Sequence, residues 1–236
     1  MLTIGLLGGM SWESSAEYYR LVNEFVRERL GGLHSARCVL VSVDFAQIEQ
    51  LQAAGAWDQA AELLAAAARQ VEAAGADLLL LCTNTMHKVA AQVQAAVGIP
   101  LLDLADTTAD AVLAAGLTTV GLLGTAFTME QTFYRDRLAA HGLTVLIPDS
   151  LDRAAVHSII YDELCRGVVL DSSRDRYRQV MARLAAAGAQ GIILGCTEIE
   201  LLVTQADCEV PVFPTTRLHA RAAVERAVAP VVAPSN

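Results

Sequence analysis

The 236-residue sequence predicts an α/β protein made of two similar doubly wound parallel-sheet domains. A pseudo-two-fold axis is expected to relate them, with the functional site in the cleft between. Three observations predict this. Short apolar runs alternate with amphipathic, alanine-rich stretches, the pattern of strand–helix–strand units on a parallel sheet. Glycines stand where the helical stretches should stop. The whole pattern then starts again in the second half, as expected for two domains of about 100 residues each.

The elements follow in order. Thr3 to Leu7 reads as a strand, and Ser14 to Leu30 as a helix closed by Gly31-Gly32. Cys38 to Val43 is β-branched and strand-like, and Asp58 to Ala74 is a helix ended by Gly75. Asp77 to Leu81 is a buried strand, and Met86 to Val97 a helix stopped by Gly98, with Pro100 beyond. The second round shares anchors with the first. LTIGLLGGMS at Leu2 resembles TTVGLLGTAFT at Thr118, AGADLLLLCTNT at Ala74 resembles AGAQGIILGCTE at Ala187, and IPLLD at Ile99 resembles VPVFP at Val210. The offsets are 116 for Thr3/Thr119, 114 for Cys82/Cys196 and 111 for Pro100/Pro211, a nearly constant spacing that indicates an internal duplication. The expected domains are 1–104 plus 211–236, and 105–210.

Composition narrows the function. Hydrophobic residues at 54% and charged residues at 18% describe a folded globular chain. A formal charge of -9 argues against nucleic-acid binding, which needs a basic surface. No apolar run reaches the roughly 20 residues of a membrane span, and the N-terminus lacks a basic leader, so a cytoplasmic protein is expected. Five cysteines at irregular spacing, with no CxxC pair, suit a reducing compartment. The histidines show no metal-ligand spacing, so no metal is expected. The expected partner is a small molecule.

Two cysteines stand out. Cys82 and Cys196 each end an apolar run and are each followed by Thr, at matched places in the duplicated pattern. Ligands of parallel sheets bind outside the carboxyl ends of the strands. A helix N-terminus after each cysteine should lower its pKa toward neutrality. Two such thiols, one from each domain, suit removal of a proton from a stereogenic carbon on one face and its return on the other. Thr83, Asn84, Thr85 and Thr197 supply short polar groups to hold a carboxylate beside the forming carbanion.

The stretches GLLGGMSWESS, SVDF, LCTNTMHK, LLGT, TMEQTFYRDRL and GCTEIELL resemble the cofactor-independent aspartate/glutamate racemase family, from Leu2 to about Glu225. The resemblance implies catalytic cysteines at Cys82 and Cys196. It implies a substrate-carboxylate loop at Thr83, Asn84 and Thr85, joined by Thr125 and Thr197. It also implies a homodimer and a C-terminal segment that returns to the first domain. Aspartate-specific members carry Ile-Pro-Asp-Arg-Thr after the second strand, where the arginine grips the side-chain carboxylate. Here the region reads VDFAQIEQLQ, with Gln47 or Gln52 in place of an arginine, and the remaining cation falls near Arg166. A broader racemase of uncharged or modestly polar amino acids is therefore expected, with Met10 and Gln52 lining the side-chain pocket. The alternatives are aspartate or glutamate specificity, a related hydantoin racemase, maleate isomerase or malonate decarboxylase, and a non-catalytic amino-acid-binding or redox-sensing protein.

Other features read more plainly. A pyridoxal phosphate enzyme needs a lysine, and the single one, Lys88, reads as a solvated helix residue, so no cofactor is expected. Gly5-Leu-Leu-Gly8-Gly9 lacks dinucleotide-binding spacing and reads as a tight turn whose amides, Gly8 included, face the substrate. His87 could tune Cys82 or cap a helix. Glu198 could orient Cys196 or stabilise a helix start. Cys38, Cys165 and Cys208 read as structural, and Arg174, Arg176, Arg178 and Arg183 as a solvated helix face.

Overall fold

Two four-stranded, all-parallel sheets carry the chain in a computed structural model that describes residues 1–229. The first sheet contains β1 (Ile4–Gly8), β2 (Cys38–Ser42), β3 (Leu78–Leu81) and β4 (Leu101–Leu102), in the order β2-β1-β3-β4. The second contains β5 (Thr119–Gly124), β6 (Thr144–Leu146), β7 (Gly191–Gly195) and β8 (Val212–Pro214), in the order β6-β5-β7-β8. The two orders are the same, as the sequence duplication requires. Central strands β1, β3 and β7 are buried along their whole length, which accounts for runs such as LLLL with no polar alternation.

The chain packs into two compact units. One is built from Met1–Cys82, Val89–Leu102 and residues 219–229, the other from Thr83–Lys88 and Asp103–Leu218. This moves the expected boundaries in two places. Residues 211–218 belong to the second unit because β8 pairs with β7, Ile193 opposite Phe213. The loop Thr83–Lys88 also joins the second unit, through side-chain hydrogen bonds described below. The C-terminal helix, Thr215–Val228, begins in the second unit and passes from His219 into the first. Its Ala220, Ala223, Val224 and Ala227 share a core with Ile4, Leu6, Tyr18, Val22, Leu78 and Leu80. Buried His219 fastens this helix, since Tyr18 Oη lies 2.9 Å from its Nδ1 and the Leu102 carbonyl 2.8 Å from its Nε2.

The turn after β1 explains its glycines. Gly9 has φ +93°, and a Cβ there would lie 2.1 Å from the Val43 carbonyl oxygen. A Cβ on Gly8 would lie 2.4 Å from Ser15 Oγ. The Gly9 amide donates to Ser15 Oγ at 2.7 Å and the Gly8 carbonyl accepts from Val43 N–H at 3.0 Å. Close backbone approach accounts for both residues, and the Gly9 amide and the Gly8 carbonyl are paired within the turn.

Two elements differ from the sequence reading. The stretch VDFAQIEQLQ contains a helix, Phe45–Ala53, whose N-cap Asp44 accepts from Ala46 N–H at 3.1 Å. The expected helix from Met86 is a 3₁₀ turn, Thr85–Val89, followed by the short helix Ala90–Ala95. Among the described residues no helix is long and apolar enough to cross a membrane.

Candidate active site

The two strand ends that carry cysteine occupy equivalent places in their sheets. Cys82 directly follows β3 and Cys196 directly follows β7, each the inner neighbour of the strand that opens its repeat. Cys82 lies in the first unit and is 0% exposed. Its N–H is paired to Leu7 and its carbonyl accepts from Ser14 Oγ at 3.2 Å. Its sulfur meets only the Leu80 carbonyl, at 3.8 Å, among the hydrogen bonds of the described residues. Cys196 lies in the second unit, is half-buried, and its thiol donates to Glu198 Oε2 at 2.9 Å.

Burial pushes the Cys82 thiol up, well beyond the ordinary thiol range. Cys196 is raised as well, first by burial and then by the Glu198 carboxylate and by Cys165. The expected lowering by helix N-termini is therefore reversed. Cys82 is followed by a 3₁₀ turn and Cys196 by a helix of only four residues, Ile199–Leu202. Such short segments supply little dipole against the cost of desolvating a thiolate.

The loop after Cys82 has several second-unit partners. Asn84 Nδ2 meets Thr215 Oγ1 at 3.1 Å. Thr215 already donates its own hydroxyl hydrogen to the Leu194 carbonyl at 2.9 Å, so it can only accept from Asn84. That fixes the orientation of the amide and leaves Asn84 Oδ1 as a buried acceptor with no partner among the described residues. Thr85 Oγ1 lies 3.0 Å from Thr125 Oγ1 and 3.4 Å from Thr128 Oγ1, a cluster of three buried hydroxyls. Lys88 hydrogen-bonds Gln131, so it is a half-buried anchor and not a solvated lysine.

The second strand end is tied to the same stretch. Thr197 Oγ1 lies 2.8 Å from Thr216 Oγ1, and Thr216 N–H donates to Glu200 at 3.0 Å. Thr215 and Thr216 thus serve Asn84 and Thr197 side by side. Neither was expected from sequence, nor was Thr128. Their only signal was Pro-Thr-Thr at the start of a helix.

The remaining candidates divide between the units. Met10 and Gln52 are both buried in the first, while Gln47 is exposed. Gln52 lies one turn from buried Ile48 on the helix Phe45–Ala53, so it and not Gln47 points inward. Arg166 lies in the second, exposed on the turn Leu164–Arg166, with no ion pair among the described residues. The arginines of the helix Asp171–Ala186 are not simply solvated. Arg183 grips buried Asp152 through two bonds of 2.7 and 2.8 Å, Arg176 adds a third at 2.8 Å, and Arg178 pairs with Asp207. All five cysteines are free thiols. Among the described residues no group of three His, Cys, Asp or Glu could hold a metal ion.

Residues 7–223 match a family model described as Asp/Glu/Hydantoin racemase. A crystal structure of a candidate Asp/Glu racemase from Yersinia pestis is 56% identical, with TM-score 0.90, covering 96% of this chain and 99% of that one. An aspartate racemase homologue from Pyrococcus horikoshii is 32% identical, with TM-score 0.85 and the same coverages of 96% and 99%. Picrophilus torridus aspartate racemase, at 19% identity and TM-score 0.74 over 96% of this chain and 94% of that one, shares the fold.

Proposed function

Because the chain belongs to the Asp/Glu/Hydantoin racemase family, and so is an isomerase of the racemase class, we propose that it inverts free amino acids at Cα with two thiols and no cofactor. Cys82 and Cys196 are the two groups, one for each face of the planar carbanion. The observation that carries this reading is their matched position after β3 and β7 of two sheets with the same strand order.

The chemistry follows from the groups at hand. A thiolate at Cys82 takes the Cα proton of one enantiomer while the Cys196 thiol gives its proton to the opposite face. The product is the other enantiomer, a thiol at Cys82 and a thiolate at Cys196; the reverse reaction exchanges the roles. The bond from Cys196 to Glu198 supports Cys196 as the resting thiol and Cys82 as the base of this first direction. Both thiols are raised by burial, so the thiolate needs a nearby positive charge, and the ammonium of the substrate is one. Asn84 Oδ1 is an acceptor without a partner and suits that ammonium, whereas the hydroxyls of Thr85, Thr125 and Thr197 suit the carboxylate.

Uncharged or modestly polar side chains fit best, since Gln52 and Met10 are the buried candidates and the second strand brings no arginine. Aspartate or glutamate is the second reading, favoured by Arg166, an exposed cation without an ion pair among the described residues. A panel of L- and D-amino acids offered in D₂O to the reduced protein, without added cofactor, tests both. Inversion with deuterium at Cα is expected, fastest with side chains such as those of homoserine, methionine or glutamine. Activity on aspartate alone would favour the second reading, and no exchange with any amino acid would overturn the proposal. The proposal includes a homodimer in the cytoplasm. Sedimentation checks the oligomer, a single 25.1 kDa species counting against it.

A further inference from the structure

Both ring nitrogens of His87 are spent on backbone atoms. The Leu104 N–H donates to Nε2 at 3.1 Å. A backbone amide can only donate, so Nε2 carries no hydrogen. The neutral ring therefore holds its hydrogen on Nδ1, which donates to the Thr83 carbonyl at 2.7 Å. The ring is 8% exposed. It joins two pieces of chain in the second unit: the loop that begins at Thr83 and the first turn of the helix Leu104–Ala114. That helix start would otherwise leave the Leu104 N–H unpaired, since its N-cap Asp103 is committed to Ala105 N–H at 2.8 Å.

The place of this contact matters. Thr83 stands between Cys82 and Asn84. The other loop anchors act on side chains: Asn84 on Thr215, Thr85 on Thr125, Lys88 on Gln131. His87 alone among the described hydrogen bonds of this loop closes the main chain back on itself through a side chain, and then fastens it to a helix.

We propose that His87 is a positioning residue, held as the Nδ1–H tautomer, which clamps the Thr83 carbonyl to the start of the helix Leu104–Ala114 and so fixes the turn that presents Asn84. The ligand presented to Asn84 rests on the racemase reading; the clamp itself does not. The charged groups that act on the ring are Asp103 and Asp106 on one side and Arg137 on the other, and burial outweighs them to keep it neutral.

His87→Asn keeps a donor near the Nδ1 position, His87→Gln keeps an acceptor near Nε2, and His87→Ala keeps neither. Hydrogen exchange followed by mass spectrometry is read on residues 83–88 and 104–108. In His87→Ala both segments should exchange about ten-fold faster while β5 and β7 are unchanged. In His87→Asn the loop should recover and the helix start should not; in His87→Gln the reverse. With the best amino acid of the D₂O panel, His87→Ala should lower kcat and raise KM together, by on the order of 10²-fold in kcat/KM. A merely structural histidine would lower the melting temperature and leave kcat/KM per folded molecule as it was. Unchanged loop exchange in His87→Ala would overturn the proposal, as would equal behaviour of the Asn and Gln variants. Should the variants not fold, imidazole ¹⁵N shifts of the native protein decide, a proton on Nε2 at pH 7 counting against the clamp. If the native protein inverts no amino acid while the exchange pattern holds, the racemase reading fails and the clamp stands.

Discussion

Cys82-Thr83-Asn84 and Cys196-Thr197-Glu198 occupy the same step of two identically ordered sheets, yet the residue two places after each cysteine does a different job. Asn84 turns its NH₂ to Thr215 and leaves an acceptor unpaired. Glu198 turns its carboxylate back onto the thiol of its own loop. The first thiol has only burial acting on it, and the second has burial and a negative charge. A duplicated scaffold thus sets where the sulfurs stand, and the neighbouring side chain sets what acts on each of them.

Replacing the sulfurs is the harshest test of this comparison. Cys82→Ser and Cys196→Ser should each lower inversion by on the order of 10²–10⁴-fold, while the thiol that remains still exchanges Cα–H of one enantiomer. The two variants should prefer opposite enantiomers in a D₂O exchange assay, and a shared preference would remove the division of labour. Glu198→Gln comes next. Without the carboxylate, Cys196 should lose part of its elevation and react with iodoacetamide at pH 7–8 several-fold faster, as read by peptide mapping, with Cys82 unaffected. Its kcat should fall unequally in the two directions, with kcat/KM kept equal because enantiomers have the same free energy. Asn84→Ala should raise KM about ten-fold, near 1.4 kcal/mol, through loss of one hydrogen bond to a charged group, with a smaller effect on kcat. The smallest effect concerns pH. Burial lowers both His87 and His157 from their ordinary 6.5, so the unfolded chain binds more protons just below that value. Stability should therefore decline as pH falls from 7.5 to 5.5, and His87→Gln should flatten that decline in urea titrations at the two pH values.

The sheets and the sulfurs were legible in the sequence because they rest on strong local signals. Leu78–Leu81 is apolar throughout, Gly75 and Gly98 stop their helical stretches, and the Cys-Thr pairs repeat at constant offset. The helix Phe45–Ala53 was not, since only Ile48 and Gln52 are buried on it and its apolar stripe is thin. The electrostatics of the thiols were not legible either. Sequence does not reveal that the helices behind them shrink to a turn, or that Glu198 folds back. Nor did it reveal that the loop after Cys82 belongs to the second unit. That depends on Thr125, Thr128, Gln131 and Thr215, which lie 40 or more residues away.

The return of the C-terminal helix has a consequence for the order in which the protein is made. The second unit has all its residues once Leu218 has left the ribosome. The first, although begun earlier, lacks His219, Ala220, Ala223, Val224 and Ala227, which fill its core beside Ile4, Leu6 and Tyr18. Domains acquire structure during synthesis only when their cores are present. The half of the molecule that is translated first is therefore the half that closes last, and a chain that has emerged from the ribosome only as far as Leu218 carries one finished sheet and one still waiting for its cover.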